Sequence, residues 1–171
     1  VGEKLKIMVS ANPASAFKLD IFRTGYYGGT GARLMKTFDS LKAGTQRDPS
    51  IGENYVRECQ WEPTVELEIP KTWPSGVYLG KMTAERSGIQ SYVIFIIRDD
   101  RPCDFLFQCS DLTWSAYNRW PADYSIYTPH EKGHSTTGVP SGTVGFDRPY
   151  GLFTHPVNKM KKSGGSGEYL P

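Results

Sequence analysis

A chain of 171 residues with 38% hydrophobic and 13% aromatic side chains can bury a core, which excludes disorder for most of its length. The net charge of +2 comes from Lys and Arg scattered among Asp and Glu, so no basic stripe indicates a nucleic-acid partner. The longest apolar run, Tyr92 to Ile97, is far shorter than the roughly 20 residues of a membrane-spanning helix.

The first hundred residues predict β-strands. Apolar and polar residues alternate in four stretches, which contain Leu5, Ile7 and Val9; Phe17, Leu19 and Ile21; Val65, Leu67 and Ile69; and Val77 and Leu79. This alternation is typical of strands with one buried face, and turn-forming Gly, Pro and Asn residues separate the stretches. The pattern predicts an immunoglobulin-like β-sandwich over residues 1–99.

Aromatic residues are expected to fill much of that core. The candidates are Trp61, Trp73, Tyr78 and Tyr92. Gly76 is expected to allow a tight entry into the strand that carries Tyr78. If Tyr78 is buried, its hydroxyl needs a hydrogen-bond partner.

A second domain is predicted over residues 100–171. Charges and Pro102 end the preceding strand, and the apolar run Asp104–Cys109 reads as a strand buried on both faces, as in a parallel sheet. Ser110 or Asp111 is expected to cap a short helix within 112–120. The order of strand, polar turn and helix indicates the beginning of an α/β domain, with a functional site after Cys109.

The rest of this domain reads as a long loop over 121–145, and connections of that length are often functional. A short strand is expected at 144–146 and a turn at 147–151. Abrupt chain ends predict truncation on both sides. The missing start Met, together with the sandwich, favours a periplasmic or extracellular location. Three cysteines (Cys59, Cys103 and Cys109) are interpreted as free thiols.

Histidines and glycines offer only weak motifs. His130 and His134 have the spacing of a zinc site on a helix, but Pro129 and Gly133 argue against a helix. The glycine-rich loop 25–31 lacks the lysine of a phosphate-binding loop, so packing of its tyrosines against a neighbouring domain is the plainer interpretation.

Two nucleophile hypotheses are similarly weak. Ser110 lies near a strand-to-helix turn but lacks the flanking glycines of a hydrolase elbow. A Cys109–His155 thiol–imidazole pair has no local support. Tyrosines are the less ordinary feature, because phenolate oxygens are hard ligands suited to ferric iron. Tyr117, Tyr127 and Tyr150 lie in the second domain, although aromatic residues at a sheet end usually belong to the core.

Four segments occur in an order that resembles a known family. They are Ile21–Gly29 with Gly31–Arg33, Ser75–Leu79, Thr113–Asn118 and Phe146–Tyr150. Together they resemble the N,N-dimethylformamidase large (β) subunit family, with the chain covering the N-terminal part of the family region. The resemblance implies a sandwich followed by a glutamine-amidotransferase-like α/β domain.

The resemblance also implies a mononuclear iron bound by two tyrosines and one glutamate. Tyr117 matches one ligand, and Tyr150 or its rival Tyr127 the other. The glutamate is expected beyond residue 171, since Glu168 does not match its motif. The iron is then a Lewis acid that polarises an amide carbonyl or generates hydroxide from water.

The leading hypothesis is a fragment of a metal-dependent hydrolase of a small amide. Asn118 and Arg119 are candidates for orienting the substrate carbonyl, with loop anchoring as the alternative role. A second subunit or a homo-oligomer is a further expectation. The competing hypotheses are a non-catalytic binding or assembly module of a larger secreted protein, and a hydrolase of the same fold that acts on carbohydrate or peptide.

Overall fold

The computed structural model of the protein describes residues 1–53, 56–118, 120, 125–126 and 144–150. The chain divides into two compact units. One comprises Val1–Gln46 and Trp61–Asp104, and the other comprises Arg47–Gln60 and Phe105–Pro171. The domain boundary expected after residue 99 stays a prediction. The segment 47–60, which the alternation pattern did not separate from the first domain, groups with the second unit.

Six strands in two antiparallel sheets make up the first unit. They are β1 (Lys4–Ile7), β2 (Ser15–Thr24), β3 (Ala32–Ala43), β4 (Val65–Glu68), β5 (Gly76–Ala84) and β6 (Gln90–Ile97). The strands β1 and β4 pair with each other, and the larger sheet has the order β3-β2-β5-β6. The mainly β, antiparallel part of the predicted fold is therefore confirmed.

Strand β2 shows why the alternation pattern worked. Phe17, Leu19 and Ile21 are at most 4% exposed and face the core, and β2 pairs with β3 on one side and β5 on the other. Strand β3 was not predicted. It lies at the sheet edge, carries two register shifts against β2 and is largely exposed, so its sequence lacks a regular apolar period.

The core of the first unit is one hydrophobic cluster with residues from both sheets, including Ile7, Val65 and Leu67 from the smaller sheet. Tyr78 is fully buried and stacks on Trp73 and Phe95, with ring centroids 5.3 and 5.5 Å away. Its hydroxyl donates to the Pro74 carbonyl at 2.7 Å, which confirms that the buried phenol finds a partner.

Only part of the predicted aromatic core is fully buried. Trp73 and Tyr78 lie in it, whereas Trp61 and Tyr92 are partly exposed. Tyr92 directs its hydroxyl to the Gln90 side chain at 3.1 Å.

The Gln46 side chain bonds the backbone of Glu62, close to the two positions where the chain leaves the first unit and returns to it. Its side-chain oxygen accepts from the Glu62 N–H at 2.7 Å, and its side-chain nitrogen donates to the Glu62 carbonyl at 3.1 Å. One amide side chain thus pairs with the backbone as a neighbouring strand would. This contact joins Gln46 to Glu62 within the first unit.

The second unit contains the predicted helix, α1 (Asp111–Tyr117). The predicted strand at 104–109 is wrong: this segment forms no strand, and Phe105, Leu106 and Phe107 are 91%, 94% and 81% exposed. A segment becomes a β-strand only when its backbone hydrogen-bonds to a neighbouring strand, and apolar side chains alone do not supply that partner. Residues 144–146 likewise form no strand, while bends at 146–148 agree with the predicted turn. No helix among the described residues is long and apolar enough to cross a membrane.

Candidate functional site

Helix α1 brings Tyr117 to the edge of a loop. Asp111 is the first residue of the helix, where a negative charge interacts favourably with the positive end of the helix dipole. Its carboxylate also accepts a hydrogen bond from the Leu112 N–H at 3.0 Å. Ser110 occupies the cap position without a side-chain capping bond. Asn118 leaves the helical conformation directly after Tyr117, with ψ of 122°. Tyr117 is therefore the last residue of the helix.

Arg148 binds the carbonyl groups around the end of this helix. Its guanidinium donates to Ser115 O at 2.9 Å, Trp120 O at 2.7 Å and Gly145 O at 3.1 Å. The last carbonyls of a helix have no partner within the helix and carry partial negative charge, so a cation is favourable there. Arg148 is only 8% exposed, and these bonds compensate for removing its charge from water.

Asn118 makes a second tie between the same segments. Its side-chain nitrogen donates to the Pro149 carbonyl at 2.9 Å, and its side-chain oxygen accepts from the Trp120 N–H at 3.1 Å. Asn118 is 7% exposed, so both ends of its amide serve backbone groups in a buried setting. This bonding favours the loop-anchoring role; orientation of a substrate stays a prediction.

The two described tyrosine candidates adjoin this tie. Tyr117 precedes Asn118 and is 49% exposed, and Tyr150 follows Pro149 and is half-buried. Burial and the nearby Asp111 carboxylate raise the pKa of Tyr150, and Arg148 partly offsets them. Its phenol is therefore neutral at pH 7 unless a cation favours the phenolate.

Other predicted site residues lie outside the described residues. They are Arg119, Tyr127, His130, His134, His155 and Glu168. Among the described candidates, Ser110 occupies the N-cap position of α1 without a side-chain capping bond, and Cys59, Cys103 and Cys109 are free thiols.

The segment 47–60 contributes residues that sequence reasoning missed. The Cys59 N–H donates to the Asp147 carbonyl at 2.6 Å. Glu58 lies so close to Gly145 that a β-carbon there would be 2.8 Å from its carboxyl carbon. Burial, Asp48 and Asp147 raise the pKa of the Cys59 thiol to about 11, so it is not an activated nucleophile. No local sequence signal linked residues 58 and 59 to a loop almost 90 positions further on.

Tyr117 and Tyr150 are the candidate metal donors among the described residues of this unit. Among the described residues no group of three or more His, Cys, Asp or Glu side chains could hold a metal ion. A metal site here would therefore depend on the phenolic oxygens of Tyr117 and Tyr150, with further ligands from outside the described ranges. Phenolate oxygen is a ligand of ferric iron, so the two side chains have the donor chemistry of the implied group.

The glycine-rich loop of the first unit is not built for phosphate. The N–H groups of Gly25, Gly29 and Gly31 donate to carbonyls within the loop. Tyr26 is 83% exposed, and the expected packing against a neighbouring domain stays a prediction. Arg23 holds Tyr27 by its hydroxyl at 2.5 Å and donates to the Ser75 carbonyl at 2.7 and 3.1 Å.

Gly76 permits this approach of Arg23. A β-carbon on Gly76 would lie 3.0 Å from the Arg23 Nε, and the glycine has a φ of +148°, which side chains disfavour. The expected tight strand entry is thus present at Gly76.

The fold and the site define a mainly β protein with a second unit in which buried Arg and Asn side chains tie two tyrosine-bearing segments together. Comparison with known families finds a match over residues 18–169 to the family described as N,N-dimethylformamidase beta subunit-like, C-terminal. The chain belongs to this family, which confirms the resemblance. No curated protein and no solved structure matches the chain.

Proposed function

We propose that this chain is part of a metal-dependent hydrolase that cleaves the C–N bond of a small amide. Family membership supports the amide chemistry. The observation that carries the site is the hydrogen bond of 2.9 Å from Asn118 to Pro149, because it joins the residues adjoining Tyr117 and Tyr150. The proposal includes an immunoglobulin-like sandwich and an amidotransferase-like α/β domain.

Tyr117 and Tyr150 would hold a mononuclear iron, with Tyr127 as the alternative to Tyr150. When bound, the iron would supply Lewis acidity that polarises the amide carbonyl. The chain's own residues set the position of the ligands: Asn118 and Arg148 hold the loop, and α1 holds Tyr117. Tyr150 is half-buried, and burial strengthens electrostatic interactions of a side chain.

The test uses protein expressed from the complete gene. Iron content is measured by elemental analysis, and hydrolysis is followed with N,N-dimethylformamide as the probe substrate. Tyr117→Phe and Tyr150→Phe each remove one phenolic oxygen while keeping the ring. Tyr127→Phe tests the rival ligand, and Tyr26→Phe is the matched control because Tyr26 is exposed on the first unit.

The proposal expects about one iron per chain in the wild type and in Tyr26→Phe. Tyr117→Phe, and either Tyr150→Phe or Tyr127→Phe, should lose both iron and hydrolysis while remaining folded. Wild-type protein without metal, or full hydrolysis in Tyr117→Phe, would contradict it.

A binding or assembly module is the second candidate. It is favoured by the 83% exposure of Tyr26 on a loop held by Arg23, and by the exposed Phe105–Phe107 segment. Tyrosine is enriched among the residues that contribute most of the binding energy in protein interfaces. Wild-type protein that lacks metal and turnover but binds a second subunit, with the binding weakened by Tyr26→Ala, would favour this function.

A further inference from the structure

Three consecutive residues before Tyr150 are each hydrogen-bonded to another segment of the second unit, either at Cys59 or within residues 115–120. The Asp147 carbonyl accepts from the Cys59 N–H at 2.6 Å. The Arg148 guanidinium reaches Ser115, Trp120 and Gly145. The Pro149 carbonyl accepts from Asn118 at 2.9 Å. Tyr150 therefore follows three consecutive residues that are each held by a hydrogen bond.

Arg148 is the strongest of these ties. The Cys59 and Asn118 contacts are single hydrogen bonds between neutral groups, whereas Arg148 makes three bonds from a charged donor to carbonyls of described residues. Hydrogen bonds with an ionised partner are about twice as strong as neutral ones. In addition, Arg148 is 8% exposed, so little water competes for its donors.

The three carbonyls that Arg148 binds belong to both tyrosine-bearing segments. Ser115 precedes Tyr117 within α1, and Trp120 follows it, while Gly145 belongs to the loop that leads to Tyr150. One planar guanidinium thus spans the helix end and the loop. A lysine ammonium is a point charge without this forked arrangement of donors, so it cannot reproduce all three directions.

We propose that Arg148 is a positioning residue that sets the separation of Tyr117 and Tyr150 by bonding the backbone of both segments. This inference rests on the proposed function, since it assigns a role toward the metal held by these tyrosines. Arg148 contacts neither the metal nor the substrate in this role. It acts through the backbone, as residues behind metal ligands commonly do.

The experiment measures ferric iron binding by metal-free protein from the complete gene. Iron is supplied from a competing chelator, and binding is followed by the visible phenolate-to-ferric absorption band. Arg148→Met removes both the positive charge and the forked set of guanidinium donors. Arg148→Lys keeps the positive charge but not the forked donors. The matched control is Arg23→Met, because Arg23 also bonds a backbone carbonyl but lies in the first unit. Circular dichroism and urea unfolding establish that each variant is folded.

Arg148→Met is expected to weaken iron binding by about 10- to 100-fold and to shift the absorption band. Arg148→Lys should fall between it and wild type, and Arg23→Met should retain the wild-type band and affinity. A purely structural role would lower stability without moving the band of the folded protein.

Folded Arg148→Met and Arg148→Lys proteins with wild-type affinity and band would overturn the inference while leaving the proposed function intact. Failure of both variants to fold would also overturn it, because Arg148 would then be required for folding without a separable effect on the tyrosines. Absence of the band in wild type would instead refute the proposed function, before any variant is compared.

Discussion

The side-chain amide of Asn118 donates a hydrogen bond of 2.9 Å to the Pro149 carbonyl, although 31 residues separate the two. Each partner adjoins a tyrosine in the sequence, so this one bond links the backbone positions of Tyr117 and Tyr150. Both partners lie in a loop region, where backbone carbonyls depend on side chains for their hydrogen bonds.

Asn118→Ala tests the strength of this link. The change removes the donor to Pro149 and the acceptor for the Trp120 N–H, and truncating a buried polar pair costs about 1–3 kcal/mol. Urea unfolding should show this loss in the free energy of unfolding. Gln90→Ala, which removes an exposed side-chain contact, is the control and should change stability by less than about 0.5 kcal/mol. Equal effects of the two changes would contradict the structure.

Gly145→Ala tests the close approach of Glu58. A β-carbon at position 145 would collide with the Glu58 side chain, which must then move. Because Glu58 is exposed, its displacement is cheap, and a cost of about 1 kcal/mol is expected. Adding Glu58→Ala should restore most of the lost free energy of unfolding. An additive double variant would show that the two side chains do not meet.

Tyr78→Phe tests the buried hydroxyl of the first unit. The ring keeps its stacking on Trp73 and Phe95, but the Pro74 carbonyl loses a donor at 2.7 Å. A loss of about 1 kcal/mol in the free energy of unfolding is expected. Tyr92→Phe is the matched control, since its hydroxyl bonds the exposed Gln90 side chain, and it should have almost no effect. A stabilised Tyr78→Phe protein would refute the role of the hydroxyl.

Cys59 should react slowly with alkylating reagents. Its pKa is raised to about 11 by burial, Asp48 and Asp147, against 9.0 for an unperturbed thiol. At pH 8 the thiolate is then about 100-fold rarer than for a thiol with the unperturbed value. In variants that keep one cysteine each, iodoacetamide should modify Cys59 at least about tenfold more slowly than the exposed Cys103. Similar rates would contradict this environment.

The same shift predicts a pH dependence of stability. The folded state holds the Cys59 proton more tightly than the unfolded state does. The protonated thiol therefore makes its full contribution to the free energy of unfolding below pH 9, and this contribution is lost as the pH rises toward about 11. Unfolding free energies measured at both ends of this window should fall more in wild type than in Cys59→Ala. A steeper fall of the unfolding free energy with pH in Cys59→Ala than in wild type would contradict the raised pKa of Cys59.

The exposed segment before α1 gives a further prediction. Phe105 and Phe107 are 91% and 81% exposed. The double variant Phe105→Ser, Phe107→Ser therefore replaces exposed apolar side chains with polar ones and deletes almost no core packing. In the 171-residue chain the double variant should bind less of the dye ANS, with its free energy of unfolding within about 0.5 kcal/mol of wild type. Strong destabilisation would show that the two rings are packed.

The sequence by itself determined the family, the strands with a regular apolar alternation and the short helix. These follow from local patterns: Phe17, Leu19 and Ile21 share one face of a strand because the side-chain period is two, and Asp111 favours a helix start. The edge strand Ala32–Ala43 and the exposed run Phe105–Phe107 misled the same reasoning. Exposure and strand pairing depend on neighbours that a local pattern does not contain.

Only the tertiary structure decided what surrounds the tyrosines. Arg148 looked like one charge in a turn, and Glu58 and Cys59 lay in a segment with no recognisable motif. Their roles arise from contacts with carbonyls and glycine positions distant along the chain, such as Ser115 and Gly145. The backbone carbonyl is the same in every residue, so the sequence cannot indicate which distant carbonyl a given side chain will bind.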